Sequence, residues 1–137
     1  MTTYCQRLNS MKWAGLMTIS NELQKALNDV QTKYGGKTFA NNSESVYVGI
    51  LPAHLEGISL DRCNALAGEQ LIPVASIEDQ FDSLLMLSAS GCVYLCFVDG
   101  ERLSVEPYAK NFREAICKTL NVKGYLLWMY RKRITGK

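Results

Sequence analysis

The sequence predicts an α+β single domain spanning residues 1–137, a mostly antiparallel sheet flanked by helices, and three observations carry that prediction. A length of 137 residues suits one hydrophobic core. The middle of the chain is a series of short apolar segments punctuated by Ser90-Gly91 and Asp99-Gly100, which is hairpin punctuation. Segments of helical period lie before and after it. With 47% apolar and 20% charged residues, the composition is that of a folded protein and not of a disordered one. No apolar run reaches the roughly 18 residues of a transmembrane helix. Residues Met1 to Met17 mix Arg7, Asn9, Ser10 and Lys12 among the apolar ones, so a continuous signal-peptide core is missing. The expected compartment is the cytoplasm.

Taken in order, Thr18 or Ser20 caps a helix that runs to about Tyr34. Leu23, Ala26, Leu27, Val30 and Tyr34 recur at spacings of three and four and form one apolar stripe. Gly35-Gly36 supplies a left-handed stop, and Asn41-Asn42-Ser43 is a loop. Val46 to Leu51 is β-branched and aromatic, a buried strand ended by Pro52. A second helix covers about Ser59 to Ala67, with Ser59 or Asp61 near its start, Cys63 and Leu66 on its inner face and Gly68 closing it.

Leu71 to Ala75 is a strand whose Pro73 places it at an edge or an end. Asp82 to Ala89 and Cys92 to Val98 form a hairpin across Ser90-Gly91. Arg102 to Val105 pairs back across Asp99-Gly100 as a fourth short strand. Pro107 suits the first turn of a helix in which Tyr108, Phe112, Ala115, Ile116, Thr119 and Leu120 follow the period, ended by Asn121 to Gly124. Gly124 to Tyr130 is nearly all apolar and too short to span a bilayer, so it is a last strand or helix on the core.

Five cysteines, Cys5, Cys63, Cys92, Cys96 and Cys117, are expected to be reduced, since their number is odd and no secretion signal precedes them. Cys92 and Cys96 are the close pair in sequence. On a strand they lie roughly 13 Å apart, too far for a disulfide or a shared metal. The single histidine, His54, falls in a loop after Pro52. One histidine and scattered cysteines do not make a zinc site. Gly35-Gly36-Lys37-Thr38 lacks the first glycine of a phosphate loop, Gln31 standing in its place, and it follows a helix where the motif follows a strand. No Gly-x-Ser-x-Gly elbow occurs. No catalytic constellation, metal site or cofactor is expected.

Charge is the more informative property. The net charge is +2, yet Met1–Lys37 carries five basic and two acidic residues, Thr38–Ala109 two basic and ten acidic, and Lys110–Lys137 eight basic and one acidic. An acidic middle repels nucleic acid and attracts a basic protein surface. Glu78, Asp79 and Asp82 crowd one loop, and Asp99, Glu101 and Glu106 follow the hairpin. These six are the candidate partner-binding residues, against the plainer reading of a solvated face. The basic end, Tyr130-Arg131-Lys132-Arg133, is read as a solubilising, frayed terminus, with a phosphate contact as its sharper alternative.

The order of several short motifs resembles the SUKH superfamily of bacterial immunity proteins, its third subfamily in particular. A helix ending in tyrosine and two glycines appears as Val30-Gln31-Thr32-Lys33-Tyr34-Gly35-Gly36. A helix closing on glycine before a proline-containing strand appears as Leu66-Ala67-Gly68-Glu69-Gln70-Leu71-Ile72-Pro73-Val74. A hairpin with a Val-Tyr pair appears as Leu84-Leu85-Met86-Leu87-Ser88-Ala89-Ser90-Gly91-Cys92-Val93-Tyr94, and Asn111-Phe112-Arg113-Glu114-Ala115-Ile116 follows as a helix. The resemblance covers about residues 23–120. Ala75 stands where the family often has glycine, and both ends are basic where the family is frequently acidic. The resemblance implies an immunity protein, an antitoxin without an active site. It would neutralise the C-terminal domain of a cognate polymorphic toxin, one acting on nucleic acid, by stoichiometric binding. The alternatives are a regulatory or scaffold adaptor, a thiol enzyme using Cys63, Cys92 or Cys96 with His54, and nucleic-acid binding through the tail. Direct membrane association is not expected, and self-association through the apolar C-terminal run stays open.

Overall fold

The computed structural model describes residues 19–41, 43–49, 58–78 and 83–123, together with the backbone of Arg131 and Lys132. Helix α1 spans Asn21–Tyr34, followed by strands β1 (Thr38–Ala40) and β2 (Ser45–Tyr47). Helix α2 spans Leu60–Ala67, and β3 (Leu71–Glu78), β4 (Leu84–Ser88), β5 (Val93–Asp99) and β6 (Arg102–Ala109) follow. Helix α3 spans Phe112–Leu120 and β7 is the pair Arg131–Lys132. The sheet order is β6-β5-β4-β3-β2-β1-β7, with every pairing antiparallel. Six strands thus form a meander, each beside its neighbour in sequence. The α+β class is as expected.

The helices begin where side-chain oxygens can receive free backbone N–H groups. Ser20 Oγ accepts from the amide of Leu23 at 3.1 Å, Ser59 Oγ from that of Arg62 at 3.3 Å, and Asn111 Oδ1 from that of Glu114 at 2.8 Å. The two glycines after α1 serve different needs. Gly36 has φ +76°, the left-handed region. A Cβ on Gly35 would meet the carbonyl oxygen of Gln31 at 2.6 Å, so a side chain is excluded there by contact. Asn41 then ties the β1–β2 turn to α3: its Oδ1 accepts from the amides of Ser43 and Glu44, at 2.8 and 2.6 Å, and its Nδ2 donates to the carbonyl of Leu120 at 2.9 Å.

Residues paired across antiparallel strands share a face, which assigns the two sides of the sheet. Leu84↔Cys96 and Met86↔Tyr94 lie on one side, Leu85↔Leu95 and Leu87↔Val93 on the other. Cys96 meets Cys63 of α2, so α2 covers the first side. On the second side, Leu87 borders the same cavity as Ala26 and Val30 of α1 and Phe112 of α3. Tyr34 joins these two helices, with ring centroids 5.5 Å from Phe112 and 6.2 Å from Phe39. All five residues of β4 are buried. Their uninterrupted apolar run, Leu84-Leu85-Met86-Leu87, is that of a strand covered on both faces.

Several boundaries differ from the sequence expectation. Thr38–Ala40 is a strand, too short to show an alternating period. The strand expected over Val46–Leu51 is Ser45–Tyr47, with the Val48 amide still donating to Lys37 at 2.9 Å; residues 50–57, His54 included, lie outside the described residues. β3 is an inner strand of the sheet, but β2 pairs along Ser76–Glu78, and Pro73 sits beyond that stretch, next to a register shift between Pro73 and Ala75. Proline is therefore accommodated at an irregular end of the strand.

Pro107 does not open a helix. It lies in β6 opposite Tyr94, with Ala109 opposite Val93, and Tyr108 is the extra residue between them. Edge strand and bulge are both positions that tolerate proline, and α3 starts only after Asn111. Tyr108 still reaches α3, its hydroxyl 2.8 Å from Thr119 Oγ1 and its ring 4.4 Å from Lys118 Nζ. Leu66, expected on the inner face of α2, is 55% exposed. Finally, the basic tail is not simply frayed. Phe39 and Thr38 pair with Arg131 and Lys132, so part of it is a strand, while residues 1–18, 124–130 and 133–137 lie outside the described residues.

Candidate functional site

The β5–β6 ribbon ends in an acidic turn. The first residue of β4, Leu84, pairs with Cys96, and β5 continues three residues further, with Phe97↔Ser104, Val98↔Leu103 and Asp99↔Arg102. Asp99 and Glu101 flank Gly100, whose φ is +65°, and both are exposed. Glu106 is exposed on the outer strand opposite Leu95. Behind the acidic tip, Phe97, Val98 and Leu103 are half-buried. A ribbon with carboxylates at its turn and half-buried apolar side chains behind it has the two components of a protein-binding surface: charge for encounter and apolar area for retention.

The sequence candidates do not all join this surface. Strand alternation puts Asp99 and Glu106 on the α1/α3 side of the sheet. Glu78, opposite Ser45 and in step with Ser76, projects to the α2 side. Glu78 is exposed and near the same end of the sheet as the ribbon tip, while Asp79 and Asp82 lie outside the described residues. Two contributors were missed by sequence reasoning. Arg102 shares a face with Asp99 and Glu106 and places a cation within the patch. Phe97 lies half-buried behind the turn, and nothing in the sequence separates it from the rest of the strand expected over Cys92–Val98.

The opposite end of the sheet has the opposite sign. A cavity of about 590 Å³ opens between α1 and α3, bordered by Tyr34, Phe112 and Gly91 and by Lys33, Lys37 and Arg113. Lys33 pairs with Asp29 at 3.4 Å, and Lys37 Nζ donates to the Lys33 carbonyl at 2.7 Å. Gly91 belongs to the β4–β5 turn, so this groove and the acidic tip sit at opposite ends of β5. Lys33, Lys37 and Arg113 of this groove are thus separated by the length of β5 from Asp99 and Glu101.

Two further groups carry distinctive chemistry. Tyr94 Oη donates to Glu69 Oε2 at 2.6 Å, and that hydrogen bond to a carboxylate pushes the phenol up to about 12. Its pKa exceeds the roughly 10 of an unfolded tyrosine, so the contact stabilises the fold in full below pH 10 and is lost as pH rises through 12. Phenolate absorbance of wild type minus Tyr94→Phe is expected to show a midpoint near 12, and Glu69→Gln should bring that midpoint down towards 10. The second group is Cys63 and Cys96, buried side by side with Sγ atoms 3.7 Å apart. Sequence spacing drew attention to Cys92 and Cys96 instead; the packing of α2 on β5 selects a different partner. Among the described residues, no three His, Cys, Asp or Glu side chains gather in a way that would hold a metal ion, and no helix is long and apolar enough to cross a membrane.

Compared with known proteins, the chain matches no family model, no curated relative and no solved structure.

Proposed function

We propose that this domain is an immunity protein of SUKH-like type, which neutralises a cognate protein toxin acting on nucleic acid by binding it one to one. The observation that supports the reading best is the β5–β6 ribbon, where Asp99, Glu101 and Glu106 are exposed beside half-buried Phe97, Val98 and Leu103. A protein that acts on nucleic acid presents a basic cleft to phosphates. An acidic turn with half-buried apolar side chains behind it is complementary to such a cleft. It is steered in by charge and then held by the desolvated side chains behind it. The motif order from Val30 to Ile116 supports the family assignment within this proposal.

The test is co-expression with the C-terminal domain of the protein encoded by the adjacent upstream gene. Rescue of growth together with a one-to-one complex on gel filtration is the expected result. A toxin domain that kills with or without this protein, and does not bind it, would overturn the proposal. The same ribbon would then be explained as the contact of a regulatory adaptor.

A further inference from the structure

Cys63 and Cys96 are 33 residues apart in sequence, and their Sγ atoms lie 3.7 Å apart in the core, both side chains with no exposed surface. Cys63 is on α2 and Cys96 on β5, opposite Leu84 on one flank and Val105 on the other. We propose that these two thiols form a reversible intrachain disulfide that locks α2 onto the sheet when the protein meets a hydroperoxide. A disulfide needs a sulfur–sulfur separation near 2.05 Å, so each sulfur moves inward by roughly 0.8 Å, within the reach of small side-chain rotations.

The two sulfurs have unequal roles. The hydrogen bond from Cys96 holds the Cys63 thiol below its ordinary value, against the opposing effect of burial and with help from the nearby Arg62. Donating that bond pushes Cys96 up, and burial adds to it. Of the two, Cys63 is the sulfur whose thiolate this contact favours, and thiolate is the nucleophilic form. Its lone pair attacks one peroxide oxygen and the O–O bond breaks. Cys63 becomes a sulfenic acid, and the departing oxygen leaves as water after taking up a proton. The Cys96 sulfur then displaces the sulfenic oxygen, which leaves as a second water. Two thiols and one hydrogen peroxide thus give one disulfide and two waters, with two electrons passing from sulfur to oxygen. Access follows from local opening: α2 is an eight-residue helix whose Asp61, Arg62, Ala65 and Leu66 all face away from the sheet.

The experiment treats the folded full-length protein with hydrogen peroxide, blocks remaining thiols, and maps the cysteine peptides by mass spectrometry before and after dithiothreitol. A dithiothreitol-reversible Cys63–Cys96 cross-link is expected, with a thermal midpoint raised by roughly 5–10 °C in the oxidised form. Recovery of both thiols free after peroxide, or a cross-link of either one to Cys5, Cys92 or Cys117, would overturn it. The triple replacement Cys5→Ser, Cys92→Ser and Cys117→Ser should keep the effect. Cys96→Ala should stop the reaction at a dimedone-reactive Cys63. A dimedone label on Cys96 in Cys63→Ala, with none on Cys63 in Cys96→Ala, reverses the order of attack and rejects the assigned chemistry. Should those variants fail to fold, the wild-type map alone decides.

Discussion

Changing Asp99, Glu101 and Glu106 together to lysine is expected to slow association with the proposed toxin partner at least tenfold at low ionic strength, while dissociation changes by less than about threefold. The three carboxylates are exposed on the β5–β6 ribbon, where solvent screens short-range pairing but charge still shapes the field that a diffusing partner meets. The difference between wild type and variant should shrink at high salt, since the screening length falls from about 10 Å at 0.1 M to about 3 Å at 1 M. Phe97→Ala should give the complementary result, faster dissociation with association nearly unchanged, because a partly buried aromatic acts after encounter. Stopped-flow mixing at two salt concentrations separates the two effects. Equal association rates for wild type and the triple variant would overturn the assignment of the proposed partner's contact to this ribbon. Changing Lys33 and Arg113 to glutamate at the other end of β5 is the control, and it is expected to accelerate association slightly or leave it unchanged.

How far the fold could be read from residues depended on whether the signal was local. The turns at Gly91 and Gly100 are decided within a few residues and were legible, and the caps were narrowed to Thr18 or Ser20 and to Ser59 or Asp61, of which Ser20 and Ser59 cap the helices. Pro107 was misassigned because proline fits a helix start and an edge strand equally well. Only the pairing of Tyr94 with Pro107 and Val93 with Ala109 selects between them. β1 and β7 were invisible for a related reason: three and two residues contain no period, and their pairing joins Thr38 to Lys132 across most of the chain. The candidate site divides along the same line. Acidic residues around Asp99-Gly100 were evident in the sequence. Their separation from Glu78 by the thickness of the sheet, and the meeting of Cys63 with Cys96, are consequences of register and layer packing.

The sharpest contrast in stability is expected between two leucines that the sequence treats alike. Leu85 has no exposed surface and lies between Ala75 of β3 and Leu95 of β5 on a strand covered from both sides. Leu85→Ala leaves a cavity that neither a helix nor a strand can collapse into without breaking the sheet, so the expected loss is about 2–5 kcal/mol. That is a large share of the roughly 7–20 kcal/mol that stabilises a domain of this length. Leu66 was expected on the inner face of α2 because it follows Cys63 by three. Leu60, Cys63 and Ala67, however, are the residues that α2 turns toward the sheet. At 100° per residue, Leu66 falls roughly 90° from the centre of that stripe. At 55% exposure, Leu66→Ala should change stability by no more than about 0.5 kcal/mol. Urea unfolding measures both, with the denaturant slope unchanged as the sign that the native and unfolded states are otherwise preserved. A loss above about 1.5 kcal/mol for Leu66→Ala would mean that α2 is rotated about its axis. Such a rotation would also carry Cys63 away from Cys96, so this inexpensive unfolding measurement bears on the sulfur contact as well as on the core.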